Sequence, residues 1–270
     1  MKNTLLTNSL LVLLTVLTAA SCTKYNISGT SSLEGVDGHM LYLKGISNDE
    51  IVNIDSCEVV HGKFKFSGSL DSIQVVTLCI DNDPILPVVL EDGEVIVELN
   101  EQRQQCKGTP LNDTLSAFNK RYEILMQQFD DLSHQQSQAI MNGDDMDAVN
   151  QRLAEMEHKL VEEEDRMIST FISENFNNCL GPYVFQLATS AYPYPMLTPW
   201  IDALMTKATD TFKNSPYIKE YMSMAKQNQD IMTGVAEPQQ QLPPATGMLP
   251  QGPDKMPPPP TPNELAKPME

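Results

Sequence analysis

The 270-residue sequence has few basic and few aromatic residues. It contains 18 Lys and Arg against 36 Asp and Glu, a formal net charge of −18, and its aromatic content is 6%. Without a surplus of cations a protein has little with which to neutralise phosphates, so this composition argues against nucleic-acid binding. The same acidity argues against docking on anionic lipid through a basic face.

Familiar catalytic motifs are missing as well. The sequence has no glycine-rich phosphate loop, no serine elbow and no paired zinc-protease histidines. Its four histidines, His39, His61, His134 and His158, form no His-x-x-x-His pattern. We therefore predict a protein that is not an enzyme and that has no catalytic, cofactor-binding or metal-binding residues.

Long apolar runs are confined to the N-terminus. Residues 1–22 combine an early lysine, an apolar stretch from Leu10 to Leu17, and small residues before Cys22. No other stretch has the ~18 consecutive apolar residues that a spanning helix needs. The layout predicts a signal peptide over residues 1–21 and acylation of Cys22, as in the lipobox of bacterial lipoproteins, although Ala19 stands where the best-fitting lipoboxes have Leu. The alternative is an ordinary cleavable signal followed by an incidental cysteine.

Residues 22–108 predict a β-sandwich domain. About seven or eight short alternating or β-branched runs follow one another, separated by turn residues such as Asp37-Gly38. The runs Val88–Leu90 and Val95–Leu99 flank Glu91-Asp92-Gly93-Glu94, which is typical of a β-hairpin. No helix-length pattern intervenes, so we expect an antiparallel sandwich or partly closed barrel, and an α+β fold overall.

Residues 109–232 predict a helical region. Thr109 and Pro110 suit the start of a helix. Apolar side chains then recur every three or four residues in two stripes: Leu115, Phe118, Tyr122, Leu125, Phe129 and Leu132, followed by Val149, Leu153, Met156, Leu160 and Met167. The polar turn at residues 142–145 predicts that the two helices pack as an antiparallel hairpin, with an intermolecular coiled coil as the alternative. Further short helices are expected up to Met232.

The last 38 residues have a different composition. Residues 233–270 hold 11 of the 19 prolines and show no apolar period. Such a segment cannot bury enough apolar surface to offset its ordering entropy, so we predict a disordered proline-rich tail.

Beyond Cys22 the chain has four cysteines, Cys57, Cys79, Cys106 and Cys179. In an exported protein they allow three complete pairings, and sequence does not choose among these, free buried thiols, or a redox role. A reactive thiol needs a depressed pKa and exposure, and no basic cluster lies near any of these positions in sequence.

Two acidic segments have simple structural interpretations. Asp81-Asn82-Asp83 resembles an oxygen-ligand loop but lacks the glycine and later glutamate of a calcium loop, so we interpret it as a turn between strands. The run Glu162 to Asp165 is interpreted as a solvated face of the second helix, with binding to a cationic partner as the alternative.

Five phrases carry a resemblance to a known family. They are residues 54–56, residues 62–68, residues 89–93, residues 108–113 at the junction of strands and helices, and residues 181–185. Together they resemble the N-terminal domain of unknown function in Bacteroidota lipoproteins, which often precedes a TlpA-like thioredoxin domain. The resemblance covers about residues 23–232 and implies a small β-sandwich followed by helices.

The redox motif of those lipoproteins has no counterpart here. The only tryptophan, Trp200, is followed by Ile201 and Asp202, and no Cys-x-x-Cys occurs. We therefore expect a non-enzymatic lipoprotein of the cell envelope with a binding or structural role, attached to the membrane through Cys22, with an envelope protein as its possible partner. Residues 23–26 hold no acidic cluster of the kind used for surface display, which favours the periplasmic side of the outer membrane. The alternative, based on resemblance alone, is an accessory component of a thiol-disulfide redox pathway.

Overall fold

The computed structural model describes residues 23–47 and 50–235, so the predicted signal peptide, Cys22 and the tail from residue 236 lie outside it. Within the described part, strands come first and helices follow. The strands are β1 (Thr23–Ser31), β2 (Met40–Ser47), β3 (Glu50–Glu58), β4 (Lys63–Leu70), β5 (Gln74–Ile80), β6 (Asp83–Leu90), β7 (Glu94–Leu99) and β8 (Gln104–Lys107). The helices are α1 (Pro110–Asn142), α2 (Met146–Glu174), α3 (Leu180–Thr189), α4 (Pro199–Lys207), α5 (Asp210–Lys213) and α6 (Pro216–Met232).

The strands form two four-stranded sheets, in the orders β4-β1-β7-β8 and β3-β2-β5-β6. Every pairing is antiparallel except that of β1 with β7, which is parallel. The sheets are not closed into a barrel. The predicted α+β fold, with an N-terminal sandwich followed by helices, is confirmed.

The predicted hairpin across residues 91–94 is wrong. β6 belongs to one sheet and β7 to the other, so this segment crosses between the sheets instead of turning back within one. The Glu91 carboxylate explains the difference, because it accepts hydrogen bonds from the backbone N–H groups of Leu111 (2.9 Å) and Asn112 (3.0 Å) at the start of α1. The chain is thereby held against the helix, and β7 pairs with β1.

Alternating side chains fill the space between the sheets. Phe64 and Phe66 on β4 face inward and are buried, as are Leu41 and Leu43 on β2. Gly29 on β1 is required by this packing, since a Cβ there would lie 2.0 Å from Cζ of Phe64.

The two long helices form the predicted hairpin, which is confirmed with its turn. Gly143 ends α1 in the left-handed conformation, with φ of 72°. Asp145 caps α2, its side chain accepting from the backbone N–H of Asp147 at 3.1 Å. At the other end, Pro110 occupies the first turn of α1, where its missing N–H costs nothing.

Fewer side chains are buried between the two helices of this hairpin than the apolar stripes predict. Leu125, Leu132 and Leu153 are buried, but Phe129 is only half-buried and Met156 is 38% exposed. In the described part of the chain, the core shared with the later helices includes residues 167–172 of α2 but neither Phe129 nor Met156. At Phe129 and Met156 the two helices alone cover only a narrow line of side chains.

A second core joins the helices to the sandwich. Phe185 lies at its centre, with Phe212 at 5.9 Å and Trp200 stacked at 5.9 Å between ring centroids. Val89 of β6 is fully buried in the same cluster. One part of the outer face of the second sheet is therefore covered by helices. None of the helices between residues 110 and 232 has the length and apolarity that crossing a bilayer requires.

Candidate functional site

The one predicted site residue, Cys22, lies outside the described residues. The first described strand, β1, begins at the next residue, Thr23.

The four remaining cysteines are all free thiols. Burial raises the pKa of Cys57 to about 11, of Cys106 to about 12 and of Cys179 to about 11, and it also raises the pKa of Cys79. At neutral pH these groups are protonated and weakly nucleophilic, which is the opposite of a reactive redox cysteine. The structure thus favours free thiols over a disulfide, with Cys79 and Cys106 buried and Cys57 and Cys179 half-buried.

The histidines do not come together. All four are exposed, and two approach carboxylates: His39 Nδ1 lies 2.8 Å from Asp81 Oδ2, and His158 Nε2 lies 3.8 Å from Glu162 Oε1. Among the residues that the structure describes, no three His, Cys, Asp or Glu side chains are grouped closely enough to hold a metal ion.

The acidic run on α2 is mostly a solvated face, with one exception. Glu162, Glu163 and Asp165 are exposed, but Glu164 is half-buried and accepts a hydrogen bond of 3.0 Å from Tyr122 on α1. Burial, reinforced by this carboxylate, raises the pKa of Tyr122 to about 12. Glu164 therefore joins the two helices.

An open cleft on the outer face of the second sheet is the clearest candidate for binding. We name it the β2–β3 cleft. It measures about 440 Å³ and lies where the helices leave the sheet uncovered. Its lining comes from two neighbouring strands and the β5–β6 turn: Tyr42, Lys44, Ile51, Asn53, Asp81 and Asn82. Two residues of the segment interpreted as a turn, Asp81 and Asn82, thus form one rim.

The polar side of the β2–β3 cleft is organised around Lys44. Its Nζ donates to Oδ1 of Asn82 at 3.0 Å and lies 5.6 Å from the centre of the Tyr42 ring. Such a cation over an aromatic face is attracted by the ring quadrupole. Asp81, in the left-handed region with φ of 50°, holds the turn beside it.

The apolar side of the β2–β3 cleft is formed by an exposed isoleucine side chain. Ile51 is 54% exposed, and Ile46, directly opposite it across the β2–β3 ladder, is 53% exposed. A cross-strand pair of large apolar side chains on a solvent-facing sheet is unusual beside an aromatic ring and a cation. Sequence analysis did not identify this surface. The alternation Tyr42, Lys44, Ile46 was the signal that could have found it.

The junction between the sandwich and the helices is polar, and its polar groups are hydrogen-bonded to one another. Asn112, 1% exposed, accepts from Val89 N and donates to Val89 O, both at 2.8 Å, while its Nδ2 also reaches Oγ1 of Thr109 at 2.8 Å. Cys106 Sγ donates to Asn112 Oδ1 at 3.0 Å. No buried side-chain nitrogen or oxygen in the described part of the chain lacks a partner. These groups are engaged with one another and hold the fold together.

Comparison with known proteins gives one match. No curated protein and no solved structure matches this chain. A family model does match residues 25–115, from β1 to the first turns of α1. The matched residues include the phrase at residues 108–113 and the Glu91–Asn112 contacts. The predicted resemblance is thereby confirmed for this part of the chain: residues 25–115 match the family described as Domain of unknown function (DUF4369).

Proposed function

We propose that this protein is a non-enzymatic lipoprotein of the cell envelope, anchored by acyl chains on Cys22 to the periplasmic side of the outer membrane, and that it binds an envelope protein through the β2–β3 cleft. The observation that carries the binding role is the cleft's mixed surface. An aromatic ring, a cation and the exposed Ile51 line one open concavity, and the exposed Ile46 pairs with Ile51 across the β2–β3 ladder.

The chemistry of the β2–β3 cleft suits a protein surface. Aromatic residues such as Tyr42 are enriched at binding hot spots because they bury a large area and lose little conformational entropy. Ile46 and Ile51 supply apolar area, while Asn53, Asp81 and Asn82 supply a polar rim. An open cleft of about 440 Å³ accommodates one or two side chains of a partner.

The alternative role in thiol-disulfide chemistry gains no support from the cysteines. A protein thiol in exchange reactions needs thiolate at ambient pH, and burial raises the pKa of every cysteine from Cys57 to Cys179 above its usual value.

In-cell photocrosslinking tests the binding role. A photoreactive amino acid at position 51 of the full-length chain should give a discrete crosslinked protein adduct, because Ile51 is in the wall of the cleft. The matched control is position 67, since Ser67 is exposed on β4 of the other sheet. Adding Tyr42→Ala should remove the adduct at position 51, while Lys65→Ala, also on β4, should leave it.

Two results would contradict the binding role. One is the same adduct from positions 51 and 67, and the other is the absence of any adduct at position 51 in a correctly localised protein. The anchoring part is tested separately: Cys22→Ser should move the protein from the membrane fraction to the soluble fraction. A native protein whose N-terminal peptide carries no acyl mass would refute it.

A further inference from the structure

The part of the helical hairpin nearest its turn leaves apolar side chains exposed. We name residues 120–166 of α1 and α2 the distal hairpin. The core shared with the later helices contains no residue of this segment. Ile124 and Met156 are 48% and 38% exposed, and Ile140 and Val161 are 62% and 42% exposed. Such exposed apolar groups among polar ones are typical of an interaction surface.

The Lys and Arg residues of the distal hairpin gather on one side, which we name the basic face. The period of 3.6 residues per turn places four of the five there, all exposed: Arg121, Arg152, Lys159 and Arg166. Met156 and Lys159 line a groove of about 270 Å³ between the two helices on this side. Ile124 lies on the same side, and only two carboxylates do, Asp131 and Glu163. The basic face therefore carries net positive charge.

The opposite side of the distal hairpin, which we name the acidic face, has no Lys or Arg. The same period places five exposed carboxylates there: Glu123, Asp130, Asp147, Glu157 and Asp165. Ile140 and Val161 are exposed among them. The two sides of one hairpin are therefore opposite in charge, and both carry apolar groups.

The cations of the basic face are not neutralised within the chain. In the described part of the protein, no Lys or Arg between residues 120 and 166 forms an ion pair. Glu155 and Glu163 each stand four residues from Lys159, at the spacing that helical ion pairs use, and still leave it unpaired. The basic face thus fits a surface that is acidic and partly apolar.

We propose that the basic face of one copy of this protein packs on the acidic face of a second copy. Near the middle of the hairpin, this arrangement brings Arg152 and Lys159 against Asp130 and Glu157, while the exposed apolar side chains of both faces are covered. Complementary charge of this kind fixes which surfaces meet. The contact uses no residue of the β2–β3 cleft, so it is independent of the proposed binding role.

The size of the two faces suits a stable contact. The α1 part of the distal hairpin, residues 120–142, is ~34 Å long, and two helices side by side are ~20 Å wide. Each copy then buries ~700 Å², or ~1,400 Å² in total, which falls within the range of specific protein interfaces. Because the two faces lie on opposite sides, the contact is heterologous and joins copies in rows or rings.

The net charge of −18 on each copy opposes association at long range. Salt screens charges beyond ~8 Å at physiological ionic strength, so this repulsion is weak between distant groups. The charges that come closest in the contact are opposite in sign, and their attraction is the least screened.

Crosslinking in cells between two differently tagged full-length copies tests the inference. A photoreactive amino acid replaces Met156 in one copy, and the other copy carries the second tag. We expect an adduct that carries both tags, because Met156 lines the groove of the basic face. The matched control is position 67, since Ser67 is exposed on β4 and should give no such adduct.

Charge reversal separates the two faces. Arg152→Glu with Lys159→Glu reverses the basic face, and Asp130→Lys with Glu157→Lys reverses the acidic face; all four side chains are exposed, so the fold should be kept, as circular dichroism can verify. When both copies carry the same reversed face, like charges meet and the two-tag adduct should fall severalfold. When one copy carries the reversed acidic face and the other the reversed basic face, opposite charges meet again and the adduct should return.

A matched pair of reversals away from the hairpin, Lys63→Glu with Lys65→Glu on β4, should leave the adduct unchanged, since both lysines are exposed on the sandwich. The inference would be overturned by the absence of a two-tag adduct at position 156, or by an adduct that survives reversal of either face. Failure of the two complementary variants to restore the adduct would also overturn it. So would an adduct at position 156 with a different protein only, because another acidic partner would then cover the basic face.

Discussion

Replacing Asn112 with alanine should destabilise the protein by roughly 2–6 kcal/mol. The Asn112 side chain satisfies both the N–H and the C=O of Val89, which is fully buried on β6. Each buried polar group left without a partner costs ~1–3 kcal/mol, and the substitution strands two of them. Water cannot replace the amide without opening the contact between Val89 and the helical core.

Urea unfolding of the chain from residue 23 measures this loss, and a second position on α1 provides the control. Asn119 is exposed on the same helix, so Asn119→Ala should change stability by less than ~0.5 kcal/mol. Trp200, the only tryptophan, reports on the helical core through its fluorescence, while circular dichroism reports on the whole chain. Because Asn112 joins sandwich and helices, the two signals should separate in Asn112→Ala and coincide in Asn119→Ala.

A loss below ~1 kcal/mol in Asn112→Ala would refute the reasoning, because it would mean that the two Val89 groups find other partners at little cost. If Asn112→Ala lost the full ~2–6 kcal/mol of stability but its fluorescence and circular dichroism transitions coincided, the energetic argument would stand. The role of Asn112 as the connection between sandwich and helices would then be refuted.

Three further predictions concern the hairpin, the thiols and the tail. In urea unfolding, Leu125→Ala should lower the free energy of unfolding by ~2–4 kcal/mol because this side chain is buried. Phe129→Ala should lower it by less than the loss of a fully buried Phe, because Phe129 is half-buried, and Gln127→Ala should leave it unchanged. Equal losses of stability at all three positions would contradict the seam. Burial raises the pKa of Cys106 to about 12, so this thiol loses its proton at lower pH in the unfolded chain than in the folded one, and stability should fall as pH rises above ~9. Cys106→Ala should reduce the slope of stability against pH in this range. An unchanged slope would count against the burial of this thiol. Deleting residues 236–270 should leave the melting temperature unchanged by calorimetry, because the segment has no apolar stripe to bury, and a drop of several degrees would show that it packs on the fold.

The elements were predictable from sequence because their signals are local. Alternation, turn residues and the three-four spacing depend only on neighbours in the chain, so the strands, the helical hairpin and the turn at Gly143 were all found.

The pairing of strands was less predictable, because it depends on contacts distant in sequence. Asp92-Gly93 is a strong hairpin signal, yet the buried Glu91 ties the segment to α1 and sends β7 to the other sheet. The parallel pairing of β1 with β7 and the network around Asn112 arise from the same distant contact. The periodicity of the stripes likewise predicted a seam, but it could not show that Phe129 is left half-buried, because that depends on where the later helices pack against the hairpin.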